Sequence, residues 1–140
     1  MAQGLSLLIQ VESGASDPAG TIARAFQANA TSPDIVHYAW AVDIPSSAGL
    51  ETKTVLLTTV YDEQFAPYIR DLVLANPAPF NAAAKIIIGL QNLIPVESPA
   101  NLPKFINFVL QHDLTKGGTV PGFFQTYPYT VVQIKNALGS

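Results

Sequence analysis

Apolar positions along this chain recur in two rhythms. In Leu5-Ser-Leu-Leu-Ile-Gln-Val11 the period is two: Leu5, Leu7, Ile9 and Val11 fall on one side, Ser6, Leu8 and Gln10 on the other. Leu8 breaks the alternation, as expected of a strand covered on both faces. Residues 36–44 alternate as well, with Val36, Tyr38, Trp40, Val42 and Ile44 on one side and His37, Ala39, Ala41 and Asp43 on the other. Residues 52–61 carry β-branched side chains at six of ten positions and no proline, the composition of a central strand. Pro45-Ser-Ser-Ala-Gly49 supplies the hairpin loop between the second and third strands.

The helical rhythm follows the first and third strands. Asp17-Pro18 offers an N-cap and a proline at the first helical position, and Ile22, Phe26 and the alanines 23, 25 and 30 form a buried stripe in a helix running to about Asn29. Thr31-Ser-Pro33-Asp34 ends it. Asp62-Glu63 puts negative charge where the second helix should begin, and Pro67 moves its regular start to near that residue, with Tyr68, Ile69, Leu72 and Val73 turned inward. Residues 77–122 leave this plan: two short apolar helices are expected at 81–91 and 101–111, a length that suits a lid or binding element. Residues 127–134 then read as the last strand.

The order strand, helix, strand, strand, helix, insertion, strand defines the expected fold. It is an α+β, ferredoxin-like βαββαβ sandwich over residues 1–140, with a four-stranded antiparallel sheet, strands one and three central, and a helical insertion at about 77–122. Trp40, on a side with Val36 and Val42, is expected beneath a helix. Leu8, Ala39, Ala41 and Val131 would then face water on the uncovered side, so a homodimer is expected.

Composition narrows the partners more than the chemistry. Half the residues are hydrophobic and 12% are charged, against roughly 25% in an ordinary soluble domain, so apolar surface is expected to meet another chain or a ligand. The net charge is −3 and the seven basic residues are scattered, which excludes binding to a phosphate backbone. The third strand lacks the aromatic and basic centre that RNA recognition on such a sheet requires. Cysteine is absent, removing disulfides, thiolate ligands and cysteine nucleophiles together. No apolar stretch approaches the roughly 20 residues of a membrane span, and no export signal is legible, so a cytoplasmic protein is expected.

Candidate chemistry is sparse. The two histidines, His37 and His112, fall on different elements without a metal-binding spacing, and neither a nucleophile elbow nor a phosphate-binding glycine pattern occurs. His37 stands among Ala39 and Ala41, small neighbours that leave room beside a group titrating near neutrality; the alternative is a core histidine satisfied by a carbonyl. Tyr61, Tyr127 and Tyr129 are candidates for polar ligand contacts or acid chemistry, or else amphipathic core residues. Tyr61-Asp62 would place one of them at the end of the third strand.

His37-Tyr-Ala, Leu56-Leu-Thr-Thr-Val-Tyr-Asp62, Tyr68-Ile-Arg-Asp-Leu72 and Tyr127-Pro-Tyr-Thr-Val-Val-Gln-Ile-Lys-Asn-Ala137 together resemble a poorly characterised group of ferredoxin-like, dimeric α+β-barrel-type proteins. That superfamily includes small oxygenases, isomerases, haem-binding enzymes and, as paired domains, dye-decolourising peroxidases. The resemblance implies the sandwich and a dimer; it brings no catalytic set and no defined cofactor. Two functions follow as expectations. One is a small-molecule binding or enzymatic domain holding an apolar or aromatic ligand between sheet and insertion, lined by His37, Ala39, Ala41, Tyr61, Tyr127 and Tyr129. The other is a non-catalytic, homo-oligomeric interaction module.

Overall fold

The computed structural model describes residues 3–26, 36–45, 52–117 and 130–138, and within them every side chain but those of His37, Thr52 and Ile134. Three strands, β1 (Gln3–Gln10), β2 (Val36–Pro45) and β3 (Thr52–Tyr61), form an antiparallel sheet in the order β1-β3-β2. The helices are α1 (Pro18–Phe26), α2 (Phe65–Ala75), α3 (Pro77–Ile86), α4 (Leu102–His112) and α5 (Val131–Ala137), with a 3₁₀ turn at Gln91–Leu93.

The expected four-stranded ferredoxin-like sheet is therefore incorrect. Of the expected last strand, 127–129 lie outside the described residues, and Val131 onward is helical. The cause is local. Gln133 N–H donates to Thr130 Oγ1 at 3.1 Å while the Gln133 side-chain carbonyl accepts from Thr130 N–H at 2.9 Å. This is a capping box, Thr-x-x-Gln, which satisfies end donors on both residues and starts a helix in spite of the β-branched pair inside it. Asp62 Oδ2 accepts from Val131 N–H at 2.6 Å, a carboxylate against the positive end of the α5 dipole.

Prolines shift the other boundaries. Pro18, Pro67, Pro77, Pro79 and Pro103 all sit in the first turn of a helix. There the backbone N–H has no intrahelical acceptor, so its loss costs nothing. In α2 the first helical bond is Tyr68 N–H to Gln64 C=O, one residue beyond Pro67, and the helix begins at Phe65 instead of near the proline. For the same reason α3 starts at Pro77 and not at residue 81.

Strand order corrects a second expectation: β3 is central, but β1 is an edge. That edge is closed by chain from far downstream. Leu114 N–H donates to Ser6 C=O at 2.8 Å, and Ile88 N–H to Gln10 C=O at 3.0 Å. Asp113, fully buried, holds the closure together. Its Oδ1 accepts from Ser6 N–H and Thr115 N–H, its Oδ2 from the Thr115 hydroxyl and Gly117 N–H. Four donors satisfy the carboxylate, which is what a buried charge requires.

One face of the sheet carries the core. Leu5, Leu7 and Ile9 of β1 and Val55, Leu57 and Tyr61 of β3 are buried there with Ile22 and Phe26 of α1, Ile69 of α2, Phe80 of α3 and Phe105 of α4. α1 lies against β2 and β3, and Ala39 and Ala41 are the β2 residues beneath it, opposite Thr59 and Leu57. The face carrying Trp40, expected inside, is the outer one. A bulge between Val36 and Tyr38 lets Val36 pair with Tyr61 and turn into the core while Tyr38 pairs with Val60 and turns out.

Candidate functional site

The polar centre of the core is small and self-contained. Tyr61 and Tyr68 are both fully buried, their rings stacked at 3.9 Å and 4°. The Thr59 hydroxyl donates to Tyr38 C=O at 2.9 Å, which leaves its oxygen to accept from the Tyr68 hydroxyl at 3.1 Å. Burial raises both phenols above the ordinary tyrosine value, helped at Tyr61 by the Asp113 charge, while the Thr59 bond acts the other way at Tyr68. Both rings therefore stay neutral across the physiological range and serve as packing with satisfied polar tips.

Of the residues singled out in the sequence, Tyr61 is thus enclosed, and Ala39 and Ala41 are half-buried under α1. These three share the helix-covered side of the sheet. The backbone of His37 lies in the β2 bulge; its side chain, and all of Tyr127 and Tyr129, fall outside the described residues. Val131, expected on an open sheet face, is buried at the start of α5. Among the described residues no cluster of three His, Asp or Glu side chains could hold a metal ion, and no helix is long and apolar enough to cross a membrane.

Two concavities adjoin the helical layer. The first is an enclosed cavity of about 20 Å³ between β1, α1, α3 and α4, apolar but for His112 at its wall. His112 stacks on Phe108 at 4.0 Å, and its Nδ1 donates to the Phe108 carbonyl at 2.8 Å. The cavity matches a single water-sized probe and falls well below the several hundred cubic ångströms of a typical ligand pocket. The second is an open groove of about 500 Å³ beside Gln3, Gln64, Phe65, Pro67, Leu110 and Lys116.

The outer face of the sheet is a further feature, and sequence reasoning assigned its β2 residues, Trp40 among them, to the interior. Tyr38, Trp40, Val42 and Ile44 of β2 are 49, 45, 43 and 38% exposed, and Leu8 of β1 is 42% exposed. The register aligns Leu8, Leu56 and Val42 in one row, Ser6, Thr58 and Trp40 in the next, and Gln10, Thr54 and Ile44 at the far end. The face closes at its other end, where Gly4 and Val60 are buried. No residue of these rows carries a charge. The signal for this site was present in the sequence as the low charged fraction and the apolar content of both sides of the strands.

No family model, curated protein or solved structure matches this chain.

Proposed function

We propose that this domain is a non-catalytic, homodimeric interaction module whose contact surface is the outer face of its sheet. The observation that carries the reading is the row of half-exposed Tyr38, Trp40, Val42 and Ile44 beside Leu8. Two half-exposed aromatics and three aliphatics amount to roughly 400 Å² of surface, the size of the largest patch on an ordinary monomer, which is often a functional one. Beside and between them Ser6, Gln10, Thr54 and Thr58 add uncharged polar groups, the two threonines on the central strand. A surface with no charge on it offers nothing to an acidic or basic partner, whereas a second copy presents the same uncharged, apolar chemistry.

Association through the face is favoured over addition of a strand at the free β2 edge. That strand carries the devices that discourage edge pairing: a bulge at its start, Asp43 turned to the inner side where it accepts from Ala19 N–H at 3.1 Å, and Pro45 at its end.

Trp40 is the only tryptophan in the chain and lies on the proposed interface, so its fluorescence reports directly. Dilution through the dissociation constant should red-shift its emission, and Val42→Lys should give a monomer with the red-shifted spectrum. A monomer at every concentration, with constant emission, would exclude the proposal. Small-molecule binding is the second reading, favoured by the open groove between Phe65 and Leu110, whose volume suits a small ligand. It expects thermal stabilisation by an aromatic compound that Leu110→Glu abolishes.

A further inference from the structure

We infer that the open groove takes an amphiphilic monocarboxylate, an aromatic or branched alkyl acid; this deepens the small-molecule reading above and rests on it. The lining of the groove separates into two chemistries. Phe65, Pro67 and Leu110 supply apolar surface. Gly117 lies between the first and last of these: a Cβ there would stand 3.2 Å from Leu110 Cδ1 and 3.7 Å from Phe65 Cβ, at a φ of +69° that glycine adopts without strain. The polar part consists of the side-chain amides of Gln3 and Gln64 and the ammonium of Lys116. Among the described residues no acid lines the groove, although the chain carries ten acidic residues to seven basic ones. Its charge is therefore opposite in sign to that of the whole protein.

Lys116 is exposed but placed: its Nζ donates to Gln111 C=O at 3.1 Å, which holds the ammonium at the end of α4. The start of α2 reinforces the sign that Lys116 sets. Phe65 and Ala66 lie ahead of the first helical bond, from Tyr68 N–H to Gln64 C=O, and neither a side-chain cap nor an acid in the first turn offsets their N–H groups. The carboxylates nearest in sequence are engaged elsewhere. Asp113 is buried with its four donors, Asp62 accepts from Val131 N–H, and Glu63 adjoins Asp71. A single lysine matches a single negative charge, so a carboxylate is balanced there and a doubly charged phosphate is not. At about 500 Å³ the groove also admits an apolar body of single-ring size against Phe65 and Leu110. A cationic ligand would meet the same wall and be repelled by Lys116.

Three probes separate the ligand classes on the unaltered protein: 3-phenylpropionate, its neutral amide and inorganic phosphate. In an NMR titration at low ionic strength, where charge is least screened, phenylpropionate should move the backbone amide signals of Ala66, Leu110 and Gly117. Its affinity should exceed that of the amide by roughly fivefold, the margin of a charge-assisted over a neutral hydrogen bond. Lys116→Met should erase that preference and Lys116→Arg should keep it; the side chain is exposed, so folding is not at stake. Equal binding of acid and amide, or a preference that survives Lys116→Met, would overturn the carboxylate and leave the small-molecule reading standing. Phosphate binding more tightly than phenylpropionate would overturn it as well, because the apolar wall would then contribute nothing. If no probe moves the groove signals, this inference and the small-molecule reading fall together.

Discussion

On β2 the side facing the helices carries Ala39, Ala41 and Asp43, and the side facing outward carries Tyr38, Trp40, Val42 and Ile44. On β1 the balance is reversed, with Leu5, Leu7 and Ile9 inside and Ser6, Leu8 and Gln10 outside. The layer above the inner side differs between the two edge strands. α1 rests on β2 and β3, tied down by the bond from Ala19 to Asp43, and the alanines admit its backbone. Over β1 the cover comes from side chains of α3 and α4, including Phe80 and Phe105, which meet edge to face at 5.8 Å, and large inner residues fill that gap. Large apolar groups on the outer side of β2 have no such layer among the described helices, and the proposed contact surface rests on them, whereas the alanines serve packing.

The two faces should respond to substitution in opposite ways. Leu57→Ala, at the inner centre of the sheet, is expected to remove about 3–4 kcal/mol of folding stability, measured by denaturant titration, because the fully buried side chain leaves a cavity. Asp113→Ala should cost about 3 kcal/mol, since it removes the shared acceptor of the Ser6, Thr115 and Gly117 N–H groups and loosens the closed edge of β1; faster amide exchange at Leu114 would localise the damage. Ala41→Leu, one residue from the outer row, should cost about 2 kcal/mol by overpacking under α1. Its outer neighbour gives the contrasting result. Trp40→Ala should change monomer stability by less than about 0.5 kcal/mol while weakening association at least tenfold, as truncation of a central interface aromatic does.

The smallest effect concerns Glu63, in the turn after β3. Burial, and then the adjoining Asp71 carboxyl, raise its pKa above the ordinary carboxylate range, with Arg70 opposing; its Oε2 is enclosed without a hydrogen-bond partner. A carboxyl whose folded value is raised adds stability while it is protonated, below its unfolded value, and loses that contribution as pH climbs through the folded value. Glu63→Gln should therefore stabilise the protein modestly at neutral pH and flatten the decline of melting temperature in that window. An unchanged pH profile would place the titration elsewhere.

The three observed strands and the first helix were legible because alternation and an Asp-Pro start are written in consecutive residues. The fate of residues 127–134 was not. Val131 and Val132 favour a strand by composition, and the deciding signal, Thr130 with Gln133 three positions on, is a pair of side chains exchanging bonds with each other's backbone. Prolines misled for a related reason: Pro67 and Pro79 break a helix interior but fit a first turn, and only the position of the turn tells which applies. Which side of β2 is covered was illegible too. Alternation separates the two sides without ranking them, and the bulge that reverses Val36 relative to Tyr38 leaves no mark in the pattern. Of the residues expected to line a ligand, Ala39, Ala41 and Tyr61 lie on the side of the sheet that is filled by helices.

The bond from Leu114 to Ser6, with the Asp113 carboxylate beside it, joins residues more than a hundred positions apart. During synthesis the first strand and its two partners leave the ribosome well before residues 113–117 do, at roughly 5–20 residues per second. For several seconds a nascent chain therefore holds a sheet that is open along β1 and bare on its outer side. A chain stalled or cleaved before residue 113 would keep that unpaired strand available to others like it, and aggregation of such truncated products would be the cellular cost of fastening the beginning of this protein with a clasp near its end.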